Sequence, residues 1–325
     1  MTDRIISPDG KFMWTGSEWI PAPPAATENK QTDIFEALSL SESARAQEAK
    51  IVGFTELRLG DAAREKGNWT LALEYWNRII EGDGHQIDAE IRINAMINTA
   101  GYYIMRGNVG KDWIKNLEMA DKILNQALHH SRKNNNKKME VFTLMKLSEC
   151  IYSMSQRINA EYFNINDYVN TKDIISPLYS PIHSWEKDYV DCIEKTMNFF
   201  DSAISVAIEL SDSELQALVK CNKSQMLTGL IRGFDHPLGN QVPRLLLWEG
   251  KILLANIESD MQFVLDVATM HTNLELKCEA YEVLAWVHYL RGERNDAKRY
   301  NKMMLEIFNS LPDGTRFHPK LFPRI

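Results

Sequence analysis

Side chains able to do chemistry are plentiful in this chain, but not at the spacings that enzymes use. Its eight histidines are His85, His129, His130, His183, His236, His271, His288 and His318, and they form no H-x-x-x-H or H-E-x-x-H pair. That spacing is what sets two imidazoles on one helix face for zinc. His129 and His130 are adjacent and point to different faces of a helix. Cys150, Cys192, Cys221 and Cys278 are scattered, with no C-x-x-C, each in an apolar helical context such as LSECIYSM. Buried free thiols are the expectation, not a disulfide framework. No G-x-S-x-G, Walker loop or dinucleotide fingerprint is present. The reading is a non-enzyme with no catalytic, cofactor-binding or metal-ligating residues.

The elements that would position a site are helical. With 44% hydrophobic and 25% charged residues, the 325-residue chain has the balance of a soluble protein. A formal charge of -7 argues against nucleic acid, which needs a clustered basic face. Arg132, Lys133, Lys137 and Lys138 form one short basic cluster, expected to be a solvated loop. No run of 18 apolar residues occurs and MTDRIISPDG has no signal core, so no membrane span and a cytoplasmic location are expected.

Residues 1–24 differ in character from the rest of the chain. Asp9-Gly10 and Thr15-Gly16 are turn signals between short apolar runs, predicting brief strands at Ile5–Ser7, Lys11–Trp14 and Glu18–Ile20. Some twenty residues cannot hide Trp14 and Trp19 alone, so the two rings must dock on the helical body or on a partner. Pro21 to Lys30 (PAPPAATENK) reads as a linker, stiff at first and flexible later, with residues 25–33 as the stretch that separates the two domains. Residues 34–325 read as one helical domain with helices at 70–81, 88–106, 112–131, 137–157, 185–210, 213–230, 243–256, 258–270, 274–291 and 294–310. Breaks are expected around Pro177 and Pro181 and again at 232–243.

Two stretches carry a repeating pattern. In the first, Leu59-Gly60, Gly67, Trp69, Ala72, Trp76 and Ile79 place small residues at a helix crossing with aromatic packing behind it. The last reads Tyr281, Leu284, Ala285, Gly292, Ala297 and Met304. A weaker middle copy uses Ile97, Ala100, Gly101, Ala120, Ile123 and Ala127, with an insertion after Gly107. On these residues the chain resembles tetratricopeptide repeat proteins over roughly 54–131 and 274–312. The N-terminal Ser7-Pro8-Asp9-Gly10, Trp14, Gly16, Trp19, Pro21 and Pro23 resemble short S-P-D-G…W-x-G…W-x-P-x-P modules appended to many archaeal and bacterial proteins. The resemblance implies an all-α fold of antiparallel helix pairs stacked as a tetratricopeptide-like solenoid, preceded by a very short β-hairpin-like segment.

It also implies a concave face lined by the first helix of each pair. Leu57, Asp61 and Arg64 would come from the first copy, Asn98, Tyr102 and Met105 from the second, and Glu282, Trp286 and Tyr289 from the last. Asp61, Arg64, Asn98, Tyr102, Trp286, Tyr289, Trp14 and Trp19 are the expected partner-binding residues. Relatives that clamp a peptide carboxylate carry Asn where this chain has Asp61, whose charge would repel that group. The expected function is a scaffold for a peptide or protein partner. A structural subunit that assembles into a homo-oligomer or larger complex is the second reading, since solenoid ends expose apolar surface unless capped.

Overall fold

Among the described residues, five of the junctions between helices use one and the same turn. The structure, a computed structural model, describes residues 12–14, 19–21, 47, 50–82, 87–162, 184–232 and 254–311. Gly67, Asn135, Ser211, Thr272 and Gly292 each adopt a left-handed φ, between 51° and 81°. In each turn that residue's N–H donates to the carbonyl three residues back, and the next N–H to the carbonyl five back. The last carbonyls of the ending helix are thereby satisfied. The next residue along then starts a new helix. Asn68, Asn136, Asp212 and Asn273 accept at Oδ1 from the N–H of Leu71, Met139, Leu215 and Leu276, at 2.9–3.2 Å. One residue ends a helix, its neighbour caps another, and the chain folds back on itself.

Among the described residues this yields ten helices: α1 over 50–65, α2 Trp69–Glu81, α3 Ala89–Val109, α4 Trp113–Lys133 and α5 Lys137–Tyr162. They continue as α6 Ser184–Glu209, α7 Ser213–Arg232, α8 Leu254–Met270, α9 Leu274–Leu290 and α10 Arg294–Phe308. From α2 on, consecutive helices pack on one another wherever a short turn joins them, and across the undescribed gaps as well. Contacts also skip one helix, α3 meeting α5 and α7 meeting α9. Near the N-terminus, β1 (Phe12–Trp14) and β2 (Trp19–Pro21) pair antiparallel with Trp14 opposite Trp19 in register.

Crossings are closed by small residues against large ones. Ala72, Trp76 and Ile79 of α2 are fully buried with Ala63 of α1 and Ile91 of α3. At the far end, Leu284, Ala285, Ala297 and Met304 are buried between α9 and α10. Three sequence expectations are corrected here. In the middle copy Ala100 is fully buried as expected, but Gly101 faces open space and the close approach is made at Gly107, where a Cβ would meet Leu117 Cγ at 2.6 Å. Leu59 is 44% exposed, so Gly60 alone makes the first crossing. The break expected at 257 is absent, because no Gly or Pro interrupts α8 and Ile257 is buried within it. The expected strand at 5–7, the linker 25–33, both Pro-containing breaks and the residues after 311 lie outside the described residues.

Candidate functional site

A cleft of about 730 Å³ lies between the odd-numbered helices α3, α5 and α7, with Phe200 of α6 also in its lining. Ile97, Phe142, Met145 and Met226 supply apolar walls, and Asn94, Asn222 and Gln225 bring side-chain amides from opposite sides. Asn222 donates to the carbonyl of Leu218 at 2.8 Å within its own helix. The amides of Asn94 and Gln225 make no hydrogen bond among the described residues, and each offers a donor and an acceptor side by side. Lys146 and Glu149 close one edge as an ion pair of 2.5 Å. Phe142 is shared with a second hollow of about 290 Å³ between α5, α7 and α9. The two hollows form one surface across four odd-numbered helices.

The residues singled out from sequence fall into separate groups. Asp61 accepts a hydrogen bond from Asn98 Nδ2 at 2.9 Å and lies 3.8 Å from Arg64, so these three tie α1 to α3. Tyr102 packs beside them, its ring 5.7 Å from Trp69 and 5.4 Å from Tyr103. Trp286 is 5% exposed and meets Tyr289 edge-on at 5.6 Å, with Arg294 over the Tyr289 ring. It therefore presents little surface to a partner. None of these residues lines the large cleft. For Trp14 and Trp19 only the backbone pairing is described.

Charged and nucleophilic groups are mostly engaged internally. Arg132 and Lys137 both reach the buried Glu140 carboxylate, at 2.8 and 3.5 Å, the first joining α4 to α5 and the second lying within α5. Cys150, Cys221 and Cys278 are buried and Cys192 is half-buried, all as free thiols. Burial pushes the Cys150 thiol up to about 12 and Cys278 up to about 11. Cys221 is raised by burial and by Glu279 beside it, and Cys192 is raised by burial. Thiols so held are poor nucleophiles at neutral pH.

A three-residue group that no sequence motif marks does converge in space. Ligand-capable atoms of His288, Glu293 and Asp296 lie within 4.8 Å of one another across the α9–α10 turn. These residues could hold a cation. The 2.5 Å bond between His288 Nδ1 and Glu293 accounts for the approach of those two, and Asp296 pairs with Arg299 at 3.3 Å. Sequence spacing hid them because ligands at i, i+5 and i+8 meet only once the Gly292 turn is made.

No protein-family model matches the chain, and no curated protein matches it.

Proposed function

We propose that this protein is a non-enzymatic, tetratricopeptide-like helical-repeat scaffold, its helix pairs stacked as a solenoid, that binds a peptide or protein partner along its odd-numbered helices. The observation that carries the reading is the cleft between α3, α5 and α7, with apolar walls and the uncommitted amides of Asn94 and Gln225. Amides on both sides of an apolar floor suit a peptide, whose backbone needs paired donors and acceptors while its side chains fill the floor. Asp61, Arg64, Asn98 and Tyr102 then act as the brace that sets α1 on α3 rather than as the main contact. Engagement of Arg132 and Lys137 by Glu140 argues against a nucleic-acid partner. No described helix is long and apolar enough to cross a membrane, and a cytoplasmic location is part of the proposal.

The test is a selection of short displayed peptides on the immobilised full chain, with anisotropy of a labelled winner as the readout. Met145→Arg, or Asn94→Ala with Gln225→Ala, should weaken binding about tenfold or more, as loss of central contacts does, with an unchanged melting curve. Equal affinity for all variants would refute the reading.

A second reading has its own observation. Ile51 and Phe54 of α1 are 60% and 53% exposed, with Val52 and Leu59 beside them. An exposed apolar helix face on the first described helix favours self-assembly into a homo-oligomer or larger complex. Sedimentation should then show concentration-dependent association that Phe54→Ser with Leu59→Ser abolishes. A monomer at all concentrations excludes it.

A further inference from the structure

We infer that the segment held along the odd-numbered helices carries a lysine or arginine next to a large apolar residue, an inference that rests on the proposed groove. The hollow between α5, α7 and α9 has an apolar floor of Phe142, Leu218 and Leu276. Its lining carries four carboxylates, Asp212, Glu214, Glu275 and Glu279, against one ammonium, Lys138. An apolar floor under an acidic rim is the complement of a long cationic side chain, whose methylenes lie on the floor while its head reaches the carboxylates.

Not all four carboxylates are equally available. Asp212 caps α7 through Leu215, Glu214 lies 3.2 Å from His271, and Glu279 accepts from Cys221 at 3.4 Å. Glu275 is exposed and makes no hydrogen bond or ion pair among the described residues. Helix N-termini favour acids in their first turn, which explains Glu214 and Glu275 as such. It explains neither Glu279, a turn later, nor the hollow in front of them. Phe142 belongs to both hollows, so a partner whose apolar side chain fills the cleft has its neighbouring side chain delivered to this rim.

The experiment is the same peptide selection on the full chain, read by sequence and then by anisotropy. Winners should carry Lys or Arg beside Leu, Met or an aromatic. A labelled winner should bind Glu214→Lys/Glu275→Lys on the order of tenfold more weakly, as reversal of two rim charges predicts. Replacing the winner's basic residue by Glu should restore binding to that variant. Winners without a basic residue, or equal binding to wild type and the double variant, overturn this inference. If Met145→Arg still abolishes binding in that case, the groove reading stands. A selection that yields no binder, or binding indifferent to Met145→Arg, overturns both.

Discussion

Gly60 of α1 lies so close to Trp76 of α2 that a Cβ at position 60 would sit 2.4 Å from the indole Nε1 and 2.7 Å from Cδ1. Trp76 is wholly buried, and its indole N–H has no hydrogen-bond partner among the described residues, so close packing is what holds the ring. Gly60→Ala should therefore destabilise the protein by about 1–3 kcal/mol through overpacking, although alanine is the better helix former. Gly101 is the control, a helical glycine facing open space. Gly101→Ala should stabilise by about 0.5–1 kcal/mol. Urea unfolding of the two variants checks the pair, and effects of the same sign would refute this account of the crossing.

The turns obey the same physics. Thr272 is β-branched and holds a φ of 53°, a conformation that costs such a residue about 1–2 kcal/mol. Thr272→Gly should recover part of that cost and raise the unfolding midpoint. A lowered midpoint would show that the Thr272 side chain stabilises the turn more than its backbone strains it.

These turns also show how much of the fold was legible. Gly67 and Gly292 announce themselves in sequence, and helix periodicity places most helix ends within a few residues. Asn135, Ser211 and Thr272 make the same turn without glycine, so only the Asx residue after each of them marks the spot. The repeat consensus is weak in the middle because α5, α6 and α7 bury alanine and cysteine such as Cys150, Ala203, Ala207, Ala217 and Cys221 where the first repeat places a glycine against an aromatic ring. That is where the large cleft lies. The consensus therefore points to the two ends, where Asp61 pairs with Asn98 and Trp286 is buried, and passes over Asn94, Phe142 and Gln225. Their polar-among-apolar spacing on a helix looks the same in sequence whether it faces water or a groove.

Thiol reactivity should separate the four cysteines. At mildly alkaline pH, Cys192 should react with a disulfide reagent first, since it alone of the four is only half-buried. Cys150, Cys221 and Cys278, buried and with raised ionisation, should react only as the protein unfolds. Four equal rates would mean that these helices open together.

Acid should weaken the fold through His130. Burial, with smaller contributions from the charges of Arg92, His129 and Lys133, lowers its ionisation below the ordinary 6.5. The unfolded chain then takes up the proton first as pH falls, so the stability tied to neutral His130 is present above 6.5 and is lost below it. The melting temperature should drop between pH 7 and 5, and His130→Gln should flatten that drop. An unchanged slope in the variant would assign the loss to other groups.

Removing residues 1–30 should leave the melting temperature nearly unchanged, because the Pro-rich stretch after Trp19 reads as a tether. A fall of several degrees, equivalent to about 1–2 kcal/mol or more, would place Trp14 and Trp19 in the core.

The central claim is that a partner lies along the odd-numbered helices, and hydrogen exchange of the full chain with and without a selected peptide tests it most directly. The account predicts slowed exchange in α3, α5 and α7, centred on Asn94, Met145 and Gln225, with α2 and α4 little changed. Protection confined to the even-numbered helices, or to the exposed face of α1 around Phe54, would contradict it.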